Sequence, residues 1–260
     1  MTMPILVTGG TGTLGRRLVP RLVEAGRTVR VLARHTRADE EGVQYLAGDL
    51  ATGAGVEAAV DGVGTIVHCA GSSKGDDALT RNLVQAALRG RTPHLVYISV
   101  VGADRMPMAS AVDRAMFGYF GSKFASERVV EESGLPWTTL RATQFHDLVL
   151  TVARQLAKLP VILLPSRSAF QPVDTDEVAA RLVELALGQP AGLVPDLAGP
   201  RVYPVAELMR AYLRATGRRR PILSVRLPGR AARAVREGAV LAPDRAVGKV
   251  TWEEFLARSV

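Results

Sequence analysis

"MPILV" (residues 3–7) runs into "TGGTGTLGRRLV" (residues 8–19), which puts Gly9, Gly10, Gly12 and Gly15 between an apolar run and an amphipathic one. Glycine weakens helices and strands alike, so four of them at one junction call for a reason. A backbone that must itself touch a ligand supplies one. The run before the glycines is strand-like. The run after them, "LGRRLVPRLVEAG", spaces Leu14, Leu18, Val19, Leu22 and Val23 along one face of a helix. In that setting Gly9 allows the tight turn, Gly12 lets the main chain approach a pyrophosphate, and Gly15 lets helix and sheet pack closely. The N–H groups and dipole at the helix start then bind the anion. The expected phosphate-holding residues are Gly9, Thr11, Gly12, Thr13, Leu14 and Gly15.

The second apolar run ends "VRVLARHTR" (residues 29–37). An acidic residue about 20 positions beyond the glycines takes the ribose 2′-OH of NAD, whereas arginine there suits a 2′-phosphate. This chain has Arg34, with His35 and Arg37 close by and no carboxylate before Asp39. NADP(H) is therefore expected over NAD(H), with Arg34 stacking on the adenine or pairing with the phosphate.

Short apolar runs alternate with helical patterns through the first 140 or so residues. Strands are expected at "PILVT", "TVRVLA", "VQYLAG", "TIVHCA", "HLVYISV" and "PWTTLRA". Helices are expected at Leu14–Ala25, Gly55–Val60, Asp76–Arg89 and Arg114–Glu132. That order predicts an α/β fold, a doubly wound parallel sheet covered on both faces. Beyond it, helices are expected near Asp174–Leu187, Val205–Thr216, Arg230–Ala239 and from Trp252, with short extended pieces "LPVILLP" and "PILSVRL". The chain reads as one domain over 1–260, residues 146–260 forming a smaller part that covers the substrate side.

Composition fits that reading. Of the 260 residues 47% are hydrophobic and 22% charged, the balance of a soluble globular protein, expected to be cytoplasmic. No apolar stretch reaches membrane-spanning length, so no membrane association is expected. The single Cys69 excludes an internal disulfide and a thiolate metal cluster, and the four histidines (35, 68, 94, 146) have no metal spacing. The net charge of +8 comes mostly from arginine, part of it in "TGRRRP" and "RLPGRAARAVREG". Without zinc-finger spacing, an aromatic RNA-binding motif or a basic helix leading into heptads, no nucleic-acid partner is expected. A homodimer through the basic C-terminal part is left open.

"TGGTGTLG", "VRVLAR", "LAGDL", "HCAG", "YISVVG", "YFGSK" and "LPWTTLRATQFHD" together resemble the short-chain dehydrogenase/reductase superfamily, most closely its atypical NmrA-like NAD(P)H-binding branch. The likeness runs from Met3 to about Val183. It implies a Rossmann fold with Asp49 at the adenine edge and Leu50 on its face. It also implies that Cys69, Ala70 and Gly71 line the ribose and that Ala142–Phe145, Thr143 and Phe145 among them, flank the carboxamide. Each of these follows the carboxyl end of a strand, where open α/β sheets bind ligands. Asp49 is equally compatible with capping the next turn.

Tyr119 and Lys123 stand one helical turn apart on one face. In reductases that the chain resembles, such a tyrosine gives its proton to the carbonyl oxygen. The lysine binds the nicotinamide ribose and lowers the tyrosine pKa. The usual catalytic serine position reads Val100 here, with Ser99 before it, so Ser99 or Ser110 must supply the hydroxyl or the oxyanion lacks that donor. The reading is a reductase of a small carbonyl or quinone-like compound, the substrate lying near Met116, Phe117, Phe145 and Phe170. The alternatives are an NADP(H)-sensing regulator without turnover and an epimerase that keeps its cofactor. Asp174 or Thr175 is read as a helix cap.

Overall fold

All six strands expected before residue 143 form in the computed structural model, which describes residues 3–35, 37–71 and 75–260. The order begins β1 (Ile5–Thr8), α1 (Gly15–Glu24), β2 (Val29–Ala33), β3 (Val43–Ala47), α2 (Val56–Val60), β4 (Thr65–His68) and α3 (Asp76–Leu88). It continues β5 (His94–Val100), α4 (Ala111–Glu131), β6 (Trp137–Ala142), α5 (His146–Leu156), β7 (Ile162–Pro165), β8 (Ala169–Phe170), α6 (Thr175–Leu187) and β9 (Gly192–Leu193). The remainder is β10 (Tyr203–Pro204), α7 (Val205–Ala215), β11 (Ile222–Val225), α8 (Arg230–Arg236) and α9 (Trp252–Ala257). By Cα proximity the chain divides into two compact units.

The first unit contains the residues up to Ser99, Ser122–Leu140 and Asp176–Val194. Its seven-stranded sheet has the order β3-β2-β1-β4-β5-β6-β9. β1 pairs in parallel with both β2 and β4, in the registers Thr8↔Leu32 and Thr8↔His68. The strand order therefore reverses beside β1, and the crevice outside the carboxyl ends of β1 and β4 is the ligand position of such a sheet. Leu6, Ile66, Leu83, Leu95, Val130 and Leu135 share one core cluster, while Leu18 and Leu22 of α1 are also fully buried. Arg17 and Arg21 both reach the Asp176 carboxylate of α6, at 3.1 and 2.7 Å, tying α1 to α6.

The second unit contains Val100–Gly121, Arg141–Thr175 and Pro195–Val260. Two small sheets, β10-β8 and β11-β7, carry its strands. One core gathers Leu150, Ile162, Tyr203, Leu208, Tyr212 and Trp252, and a second gathers Met106, Ala231, Val235 and Val240. The residue pattern was not expected to give a helix at α5. Leu150 and Ala153 face the core and Asp147, Thr151 and Arg154 form a polar stripe at helical spacing, but the exposed Leu148 and Val152 widen the apolar side and obscure the period. Asp113 caps α4 and also steadies α8: its carboxylate accepts from Ser110 Oγ at 2.8 Å and from the Ala231 N–H at 3.0 Å. Ser110 is thereby committed to that cap.

Candidate functional site

The glycine turn follows β1 as the spacing predicts. Gly9 has φ +70°, and the Gly12 N–H closes the turn on the Gly9 carbonyl at 3.0 Å. A Cβ on Gly9 would stand 2.6 Å from the Ala70 nitrogen, and one on Gly15 would stand 2.3 Å from the Gly9 oxygen. Both positions therefore demand glycine, the first for its dihedral and the second for close approach. Thr11, Gly12 and Thr13 remain at the surface, and Leu14 is buried. The start of α1 has no side-chain cap and no acid in its first turn. Those features fit a bound phosphate group, which such a helix start attracts.

Around the turn, Arg34 is exposed immediately beyond β2. Asp39, the next carboxylate, is occupied by the Tyr45 N–H at 2.8 Å. Asp49 accepts from the Ala51 N–H at 2.9 Å, so its carboxylate shapes the turn after β3. Leu50 is buried in the core. Cys69 follows β4 with its thiol pushed up to about 12 by burial, so at neutral pH it is a thiol and no nucleophile.

Beneath the turn lies a polar relay that spacing did not reveal. Burial pushes His68 down to about 3, so its ring is neutral. Thr80 Oγ1 donates to the Asp76 carbonyl at 2.9 Å, which leaves it to accept from His68 Nε2–H at 3.2 Å. His68 Nδ1 then accepts from Thr8 Oγ1 at 2.6 Å, and Thr8 accepts from the Ala70 N–H at 3.3 Å. Asp76 continues the relay through a buried ion pair with Lys123 at 3.0 Å. Lys123 also donates to Tyr97 Oη at 3.3 Å and to the Ile98 carbonyl at 3.4 Å. Acceptors thus already surround the Lys123 ammonium. A methyl group on Gly71 would lie 3.4 Å from both Lys123 Nζ and the Asp76 carboxylate, so the exit of β4 runs against this pair.

Ser99 is buried, and among the described residues its Oγ has no hydrogen-bond partner. Val100, the next residue, lines a cavity of the second unit. That cavity has a volume of about 500 Å³. Tyr119, Thr143 and Phe145 line it, as do Met116, Phe117 and Phe170. Its walls are almost wholly apolar. Thr143 Oγ1 accepts from the Gly199 N–H at 3.3 Å, and Gln144 donates to the Val240 carbonyl at 3.1 Å while accepting from the Gln171 N–H at 3.1 Å. Arg236 donates to the Leu227 carbonyl at 3.0 Å.

Asp174, which immediately precedes α6, takes an ion pair from Arg258, and Thr175, the first residue of α6, donates to the Asp147 carboxylate at 2.6 Å. His146 is fully buried against Trp252 and Phe255, and burial pushes it down to about 4. Among the described residues no His, Cys, Asp and Glu cluster could hold a metal ion, and no helix is long and apolar enough to cross a membrane.

The model of the NAD(P)H-binding family matches residues 9–186, and the chain belongs to that family. Its fold is Rossmann-like. Among curated relatives, photosystem II assembly factor Ycf39 of Trieres chinensis is 25% identical over 191 residues, 68% of this chain and 57% of that one. The NAD(P)H azoreductase of Xenophilus azovorans is 28% identical over 221 residues, 82% of this chain and 74% of that one. The chain thus spans little more than half the length of the first of these. Among solved structures, an NADPH-dependent quinone oxidoreductase of Escherichia coli complexed with NADPH superposes with a TM-score of 0.78. It is 17% identical, over 98% of this chain and 99% of that one, and shows the shared fold.

Proposed function

We propose that the protein is an NADPH-dependent reductase of a lipophilic quinone-like or carbonyl compound. The observation that carries this reading is the apolar cavity of about 500 Å³ with Tyr119 in its wall. Thr143, Gln144 and Arg236 of its lining bond the protein's own backbone and its walls are mostly apolar, so the substrate is recognised chiefly by shape and apolar burial, which disfavours a nucleotide sugar. Most of the lining comes from residues beyond 146, the substrate-covering part. The azoreductase and quinone oxidoreductase to which the chain is similar support the reaction class.

In this reading the glycine turn and the start of α1 hold the diphosphate, and Arg34 selects the 2′-phosphate. When bound, the reduced nicotinamide supplies the hydride. Tyr119 gives its phenolic proton to the substrate oxygen. Lys123, four residues along α4, orients the ribose by exchanging one of its longer hydrogen bonds, to Tyr97 or Ile98, for a ribose hydroxyl. Val100 leaves the oxyanion without the usual serine, which costs a few kcal/mol of transition-state stabilisation, about 2.7–4 for one donor.

A second reading, an NADP(H)-binding regulator without turnover, is favoured by the acceptors already around Lys123 and by Val100 in place of serine. NADPH oxidation, followed by absorbance over quinones, aldehydes, ketones and azo dyes, separates the two. The reductase consumes NADPH with at least one class, and Tyr119→Phe lowers kcat about 100-fold or more at unchanged NADPH affinity. Tight binding with no consumption selects the regulator, and full turnover by Tyr119→Phe removes the tyrosine from the chemistry.

A further inference from the structure

We propose that the β7–β11 face of the second unit docks on an anionic lipid surface, with arginines against headgroup phosphates and exposed leucines in the acyl boundary. The end of α7 and the turn after it place Arg210, Arg214, Arg218, Arg219 and Arg220 around a hollow of about 350 Å³, together with Leu213 and Ile222. Arg210 and Arg214 are four apart on one helix, a spacing at which like charges repel. Among the described residues none of the five forms an ion pair with a carboxylate, whereas Arg201 and Arg233 of the same unit do, with Glu207 and Glu237. The fold therefore carries a concentrated positive charge that an external anion relieves.

Exposed apolar residues adjoin the hollow along β11. Ile222, part of its lining, opens β11 and pairs with Ile162. The next register pair, Leu223 and Leu163, is 54% and 55% exposed, side by side on adjacent strands. Leu163 also lines the 500 Å³ cavity, as do the exposed Leu148 and Val152 of α5. Cationic hollow, leucine pair and cavity rim thus follow one another along β11 and β7. A soluble phosphate would use the hollow and leave the leucines in water. A second copy would set like charge against like. A nucleic acid would meet the arginines but, among these residues, no aromatic on which to stack a base. An anionic bilayer offers phosphates and hydrocarbon together, the pairing that holds basic amphipathic surfaces on membranes. This surface goes beyond the reductase reading, and its test uses no turnover.

The full chain is sedimented with phosphatidylcholine vesicles made with and without phosphatidylglycerol. Binding about 10-fold or more tighter to the phosphatidylglycerol vesicles is expected, weakening as salt is raised. Replacing Arg218, Arg219 and Arg220 together by Glu should remove that preference, and Leu223→Ser should weaken binding about 3-fold. Both variants should keep the thermal midpoint and NADPH affinity of the parent, which separates lost docking from lost folding. Equal binding to both vesicles overturns the proposal, as does binding indifferent to either variant. Two further results overturn it: stronger binding to duplex DNA or tripolyphosphate than to the vesicles, or a lipid-free dimer abolished by Leu223→Ser.

Discussion

At the carboxyl ends of β1 and β4 the first unit joins buried polar groups to one another, from the Ala70 N–H through Thr8, His68 and Thr80 to Asp76 and Lys123. The cavity of the second unit does the reverse: Thr143, Gln144 and Arg236 turn their polar atoms to the backbone and leave apolar walls. One region is built to present fixed dipoles and a tightly turned main chain to an anion. The other presents volume and little else. The difference teaches where specificity can reside: geometry and charge can select the coenzyme, while an apolar cavity discriminates among substrates chiefly by size.

The contrast breaks most directly at Asp76. Asp76→Asn leaves Lys123 buried beside neutral acceptors, and unpairing a buried ion pair in this way costs about 3–5 kcal/mol. Urea unfolding monitored by circular dichroism measures it. A loss below about 1 kcal/mol would mean that the relay is not what holds the crevice. Arg34→Ala sharpens the coenzyme half of the comparison. Calorimetric titration should show NADPH affinity falling about 10-fold, a loss of about 1.4 kcal/mol, with NADH affinity unchanged. Equal losses for both coenzymes would remove the 2′-phosphate argument.

The last contrast concerns two buried histidines, one in each unit. His68 is held near 3 and His146 near 4, both below the ordinary value of about 6.5. Each stays neutral in the fold and takes up a proton on unfolding, so each removes stability as pH falls below about 6.5. Among the described residues the ring nitrogens of His146 make no hydrogen bond, whereas both of His68 do. His146→Phe should therefore keep stability at pH 7 within about 1 kcal/mol and flatten its decline between pH 6 and 4 by one proton's slope, about 1.4 kcal/mol per pH unit. Chemical unfolding at a series of pH values reads this. An unchanged slope would place the proton uptake elsewhere.

Much of the first unit was legible because its constraints are local. Gly9 needs its positive φ and Gly15 its close approach within a few residues of one another, so a single short stretch displays both the turn and its purpose. Asp76 left no such trace. Its partner Lys123 is distant in sequence, and Asp76 beside Asp77 at a helix start reads as favourable end charge. Met116, Phe117, Phe145 and Phe170 could be named for the cavity, but α5, which supplies much of its wall, could not. The period of α5 was present in Asp147, Thr151 and Arg154, but the consecutive Leu148, Val149 and Leu150 obscured it.

Thr8 closes β1, opens the glycine turn and donates to His68, all within one residue. Its hydroxyl therefore fixes the exit angle of the main chain before any coenzyme arrives. The entropy of shaping that loop is spent when the polypeptide folds, so on the proposed reading a dinucleotide meets a turn already formed.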